Sequence, residues 1–165
     1  MSEARWDLMI RGAKIFDGSG APAFDGDVAL SGDKIAAVGA VAGAAAREID
    51  ARGLALAPGF IDVHSHDDFA IFLTPEMDFK TMQGVTTDVV GNCGMGAAPY
   101  RAANAMFRAL HGEVKVPRWE GYPGYLDAID ANPPSLNVAV LAGHGSLRAA
   151  AMGNAQREPS AVELA

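Results

Sequence analysis

The chain lacks several things, and each lack excludes something. Among its 165 residues there is one cysteine, so no intramolecular disulfide forms and a secreted cysteine framework is excluded. Aromatic residues make up 7% of a chain that is 50% hydrophobic; alanine, at 32 residues, fills the gap. The core is therefore expected to rest on modest side chains and close backbone packing. Lysine and arginine number 13 against 20 aspartate and glutamate, a net charge of -7. That argues against nucleic acid, whose phosphates need a basic footprint, and against anionic membrane surfaces. The longest uncharged apolar run, Ile35 to Ala46, is too short for the roughly 20 residues of a membrane-spanning helix. Met1 to Asp7 carries acidic residues and no apolar segment, so it does not read as a secretion signal. A reducing cytoplasm is the expected location. The length suggests one domain and excludes a complete (β/α)8 barrel, which takes roughly 250 residues.

What is present falls into two rhythms. Residues 1–57 read as short strands and tight turns: Leu8-Met9-Ile10, Lys14-Ile15-Phe16, Asp27 to Leu30 and Lys34 to Val38, with a hairpin turn at Ser31-Gly32-Asp33. Glycine and aspartate supply the positive φ such turns need. This is expected to be an antiparallel β module, with Gly39 to Ala46 a loop and Arg47 to Leu56 a further strand pair. From residue 58 to 165 the rhythm becomes strand, loop, helix. Phe60 to Val63, Val85 to Val90 and Leu136 to Leu141 read as strands. Helices are expected from Thr74 as N-cap to about Gln83, over Arg101 to His111, over Tyr122 to Ala131, and from a Ser146 cap to Met152. Strands alternating with helices imply parallel βαβ units, and apolar strands suit a sheet covered on both faces. Ser160 and Glu163 form a capping-box pattern that announces a helix close to Ala165. The chain thus reads as interrupted where an element begins.

Chemistry concentrates after the strands. His64-Ser65-His66-Asp67-Asp68 follows the first strand of the second region. Side chains two apart share a side, so His64 and His66 project together at the C-terminal edge where α/β active sites lie. Paired imidazoles suit zinc; the plainer alternative is two polar residues held by loop hydrogen bonds. Asp67 and Asp68 read as solvated loop acids or helix caps in preference to carboxylates that orient an imidazole. Cys93 lies in Gly91-Asn92-Cys93-Gly94-Met95-Gly96 after the second strand. It reads equally as a zinc ligand or as a buried, inert cysteine. A nucleophilic role is disfavoured because no oriented Cys–His pair is evident. The loop has neither G-x-G-x-x-G nor a Walker lysine, which disfavours nucleotides. His144, in Gly143-His144-Gly145-Ser146, is a candidate substrate contact or acid/base, with a structural histidine in a βα turn as the preferred alternative. His111, at a helix C-terminus, is explained by the helix dipole.

Ala57-Pro58-Gly59-Phe60-Ile61-Asp62-Val63-His64-Ser65-His66 resembles the start of the amidohydrolase superfamily, metal-dependent hydrolases with a (β/α)8 barrel and a flanking β-sandwich. His64-Ser65-His66-Asp67-Asp68, Gly84-Val85-Thr86-Thr87 with Gly91-Asn92-Cys93-Gly94, and Gly143-His144-Gly145-Ser146-Leu147-Arg148 resemble the N-acyl-D-amino-acid deacylases. The resemblance implies an α/β chain: residues 1–57 as part of a small β-sandwich, and residues 58–165 as about three βα units of a partial (β/α)8 barrel. It implies Zn2+ as cofactor, with His64, His66 and Cys93 as metal ligands. It further implies that the metal activates water against the amide carbonyl of a small-molecule N-acyl-D-amino acid. The family's further histidines and its late-strand aspartate have no counterpart here, so no catalytic residue is assigned. The isolated chain is expected to be inactive and to self-associate through an open barrel edge. The alternatives are a dihydroorotase- or hydantoinase-like hydrolase of cyclic amides, which the Asn92-Cys93-Gly94 loop disfavours, and a non-catalytic truncated product.

Overall fold

A computed structural model describes residues 5–164, with the side chains of residues 110 and 111 outside the description. The acidic N-terminal segment therefore lies partly, and the His111 side chain wholly, outside the described residues. The described residues divide between Pro58 and Gly59 into two compact units.

The first unit is a five-stranded sheet. Strands β1 (Trp6–Ile15), β2 (Phe24–Ser31), β3 (Lys34–Gly39) and β4 (Ala45–Asp50) lie in the order β3-β2-β1-β4, and the short β5 (Ala55–Leu56) also pairs with β1. The hairpin turn expected at Ser31-Gly32-Asp33 joins β2 to β3, with Ser31 opposite Lys34. Gly32 adopts φ 56° and donates its N–H to Asp7 Oδ2 at 2.6 Å. A bulge in β1 lies between Ile10 and Ala13, where Gly12 at φ 67° donates to Asp27 Oδ1 at 2.8 Å.

The module is not wholly antiparallel. β4 and β5 each run parallel to β1, so Arg47 to Leu56 is not a strand pair. The Gly/Ala-rich stretch before β4 is the crossover that parallel pairing requires. Arg11 pins it, donating to Val41 O at 3.0 Å and Gly43 O at 2.8 Å, and Trp6 Nε1 donates to Ala42 O at 3.1 Å. The core of the unit is small: Ala13, Ile15, Val28 and Ala51, with Ile10, Leu30 and Leu56 packed on it.

The second unit contains three parallel strands, β6 (Phe60–Asp62), β7 (Val85–Val90) and β8 (Asn137–Val140), in that order. Between β6 and β7 lie α1 (Ala70–Leu73) and α2 (Asp78–Thr81). Between β7 and β8 lie α3 (Tyr100–His111) and α4 (Gly121–Ala131). After β8 come α5 (His144–Met152) and α6 (Ala161–Leu164). The fold class is mixed α and β.

The scarce aromatics gather here. Phe69, Phe72, Tyr100, Phe107, Trp119 and Tyr125 form one cluster around Ile71, Met77 and Leu136. Ring centroids of Phe69 and Phe107 are 4.5 Å apart, and those of Trp119 and Tyr125 are 4.9 Å apart, within the favourable aromatic range. The cluster grips loop backbone as well. Tyr125 Oη donates to Asp68 O at 2.8 Å and Trp119 Nε1 to Ala97 O at 2.8 Å, both buried.

Two helix boundaries differ from expectation. Thr74 ends α1: its hydroxyl donates to Ala70 O at 3.2 Å, and α2 begins only after Met77, which sits at φ 49°. Burial of Ile71 and Met77 draws two short turns into the core where the Thr-Pro signal predicts one helix. Ser146 is not a cap either: Gly143 is the N-cap of α5, and the Ser146 hydroxyl is buried against Gly96. The capping box does form at α6. Ser160 N donates to Glu163 Oε2 at 2.7 Å and Glu163 N to Ser160 Oγ at 3.4 Å.

Candidate metal centre

β6 and β7 are parallel neighbours, so the loops that follow them leave the sheet at the same edge. β6 closes at Asp62, and both histidines lie past it. The side-to-side alternation of a strand nevertheless continues: His64 is exposed, Ser65 buried and His66 half-buried. Ser65 is drawn inward by Val89 O, which accepts both its N–H and its hydroxyl at 3.2 Å. The imidazoles are left on the opposite side, edge to face, with centroids 5.7 Å apart.

Cys93 comes to the same place from the β7 loop. It adopts φ 54°, a left-handed conformation that costs a non-glycine residue on the order of 1 kcal/mol. Asn92, just before it, donates to Val89 O at 2.7 Å. The thiol is exposed, which overturns the buried, inert alternative, and Sγ lies 2.9 Å from His64 Nε2. A Cys–His pair therefore exists where the sequence shows none. Among the described residues, no side chain hydrogen-bonds the remaining His64 ring nitrogen, so the pair lacks the third group that orients a catalytic base.

The pair has a third neighbour instead. One donor atom each from His64, His66 and Cys93 lies within 4.8 Å of the others. Ligand atoms around tetrahedral zinc sit roughly 3.4–3.7 Å apart, between this limit and the Cys93–His64 separation. His66 Nδ1 is buried with no hydrogen-bond partner among the described residues, a state buried polar atoms rarely tolerate. Two imidazoles, a thiol and one orphaned nitrogen fit a borderline-soft divalent ion.

Asp62 and Asp67, which flank the histidines in sequence, belong to a carboxylate cluster. Lys80 Nζ of α2 pairs with Asp62 at 2.5 Å, Asp67 at 2.9 Å and Asp88 at 3.5 Å. Burial lowers the Lys80 pKa, but the bonds to Asp62 and Asp67 outweigh it and the net shift is upward. The Lys80 bond, then the His64 N–H, hold Asp62 below the usual carboxylate range. Asp88 is fully buried and burial pushes its pKa up. Asp68 is also fully buried; no hydrogen bond of ordinary geometry reaches its oxygens, although its own and the Gly91 backbone lie near enough to favour the charge. Burial wins and raises it to about 7. Asp67 and Asp68 are thus not solvated loop acids. Lys80, Asp62 and Asp88 escaped the sequence reading. The one signal for Asp88 was a charge inside an otherwise uncharged strand.

His144 opens α5 and is exposed. It is not part of the three-donor group.

A profile of the amidohydrolase family matches residues 47–164. The chain belongs to the amidohydrolase family. Within it, the chain is 41% identical over 162 residues to an N-acyl-D-glutamate deacylase of Alcaligenes xylosoxydans xylosoxydans, covering 98% of this chain and 33% of that one. It is 43% identical to a D-aminoacylase of the same organism, covering 97% and 34%. It superposes with TM-score 0.83 and 43% identity on the N-acyl-D-glutamate deacylase of Bordetella bronchiseptica, a structure complexed with zinc and a phosphonate mimic of the tetrahedral intermediate, over 96% of this chain and 34% of that one. This amidohydrolase chain therefore spans about a third of the length of the curated relatives it matches.

Proposed function

We propose that this chain supplies zinc ligands to an N-acyl-D-amino-acid deacylase. The observation that carries the reading is the convergence of His64, His66 and Cys93 within 4.8 Å, in a family whose relatives include deacylases. Zinc bound there would act as Lewis acid and water activator. The chain's own residues do the rest. Ser65 and Asn92 hold both loops on Val89 O. Lys80 offsets part of the charge of the carboxylates that flank the histidines in sequence. His144 is the candidate contact for a small-molecule N-acyl-D-amino acid. A reducing cytoplasm suits a thiolate ligand. On this reading β6 to α5 are the first three βα units of a (β/α)8 barrel, and the five-stranded sheet is part of a β-sandwich. The outer edges of β6 and β8 have no strand neighbour among the described residues, so self-association of the isolated chain is expected.

The test is amine release from N-acetyl-D-methionine and its L-enantiomer by the zinc-loaded chain, with and without chelator. Little or no release is expected from the chain alone, because no general acid or base is assigned among the described residues, and any residual release should be D-selective and chelator-sensitive. Release that ignores chelator, or that treats both enantiomers alike, contradicts the reading.

A second reading, a cysteine nucleophile, draws on the 2.9 Å Cys93–His64 contact. It leaves His66 Nδ1 unexplained, and the metal reading is preferred for that reason.

A further inference from the structure

The loop that carries Cys93 is fastened from two sides. On one side Asn92 holds Val89 O, the carbonyl that also anchors Ser65 between the two histidines. The other side lies against the β8 loop and α5, about fifty residues on in sequence. There one serine fastens it, through its hydroxyl and its backbone N–H. Ser146 Oγ accepts the Gly96 N–H at 2.9 Å and donates to Gly96 O at 2.9 Å. It thereby satisfies both backbone groups of one residue. Ser146 N donates in turn to Gly94 O at 2.9 Å. Ser146 has 0% exposure, so bulk water does not compete for these bonds.

The two loops meet backbone to backbone, and glycine is what lets them. A Cβ on Gly143 would collide with the Gly96 backbone. One on Gly145 would come within 2.8 Å of Gly94 O, and one on Gly96 within 2.5 Å of Tyr122 Oη. Tyr122 Oη itself accepts the Gly143 N–H at 2.9 Å. Cys93 sits between the Asn92 and Ser146 fastenings in a left-handed conformation. A left-handed non-glycine residue keeps that conformation only while its flanks are over-determined.

We propose that Ser146 is a positioning residue for Cys93: its hydroxyl locks the Gly94–Gly96 backbone to the start of α5 and so holds the thiol at the place where His64 and His66 meet it. The inference rests on the reading of His64, His66 and Cys93 as metal ligands. It assigns to α5 a part in the metal centre beyond carrying His144.

Co2+ tests it, since a cysteine ligand gives a thiolate-to-cobalt charge-transfer band and Cys93 is the chain's one cysteine. In Ser146→Ala the Co2+ dissociation constant should rise about tenfold or more, the range for lost outer-shell partners. The band should stay weaker than wild type even at saturating Co2+. A hydroxyl that merely stabilised the fold would let the band recover in full at saturation. Ser160→Ala, which removes the hydroxyl of the α6 capping box, should leave both readings unchanged. Should Ser146→Ala not fold, hydrogen exchange on the wild-type chain replaces it: Zn2+ loading should slow exchange of the Gly96 amide several-fold. An equal Kd and an equal band in folded Ser146→Ala overturn the inference, as does Gly96 exchange indifferent to Zn2+. A wild-type chain with no thiolate band would overturn the ligand reading itself, and this inference with it.

Discussion

The two units differ in the charges they bury. In the first, ion pairs are half-buried or exposed: Arg11 with Asp27 and Glu48, and Arg52 with Asp50. Two of these carboxylates are held down: the Arg52 hydrogen bond lowers Asp50 to about 2, and the Arg11 hydrogen bond lowers Glu48. In the second, Asp68 and Asp88 are buried and their pKa values are pushed up by that burial, with Lys80 the cation set among Asp62, Asp67 and Asp88. The first unit spends little on electrostatics and the second accepts a desolvation cost. Functional sites are where such costs collect, and Asp68 follows His66 by two residues while Asp88 lies on β7, the strand before the Cys93 loop. Packing follows the same division, with alanines and short aliphatics in one core and six aromatics in the other.

That contrast can be pressed in order of expected effect. The two tryptophans, Trp6 and Trp119, fall one in each unit, so Trp6→Phe and Trp119→Phe backgrounds report each unit separately during urea unfolding. Phe69→Ala, in the aromatic core, should cost about 3–5 kcal/mol at Trp119, whereas Ile15→Val in the small core should cost about 0.5–1.5 kcal/mol at Trp6. Equal losses would undo the packing half of the comparison. Lys80→Met should cost about 3 kcal/mol at Trp119, since Lys80 is only 14% exposed and its loss strands carboxylates without a counter-charge. Arg11→Met should cost clearly less at Trp6.

The pH response should differ in sign. A carboxyl whose folded pKa is raised contributes stability that is present below its unfolded pKa, about 4, and is lost as pH rises through the folded value. For Asp68 that window runs from about 4 to about 7. The Trp119 urea midpoint should therefore fall between pH 5 and 8, and Asp68→Asn should flatten the fall. Asp50 and Glu48 are lowered instead, so their contribution is present above about pH 4 and lost as pH drops toward 2. The Trp6 midpoint should be flat from pH 5 to 8 and decline in acid. The smallest effect belongs to Arg52→Ala. Both partners of that pair are well exposed, and only a small drop in the Trp6 midpoint is expected.

What was legible in the sequence was mostly local. The β-branched run Val85 to Val90 and the apolar Asn137 to Val140 are strands, as their composition suggests, but alternate residues of β8 are exposed, so the expected cover on both faces is not found among the described residues. Gly32-Asp33 makes its hairpin because the turn needs positive φ. His64, His66 and Cys93 stand out as donor types at strand ends. Long-range effects were not legible. Nothing near Ala45 announces that β4 pairs in parallel with β1. The Thr74-Pro75 helix signal yields to the burial of Ile71 and Met77. The charges of Lys80 and Asp88 acquire meaning only when α2 packs beside β7, and Ser146, a helix cap by position, becomes a lock because Gly96 lies against it.

The central claim, that His64, His66 and Cys93 form one metal centre, is tested most directly by calorimetric Zn2+ titration of the chain and its Cys93→Ala variant. The account predicts that the variant binds at least about tenfold more weakly than wild type. Unchanged stoichiometry and affinity in Cys93→Ala would contradict it.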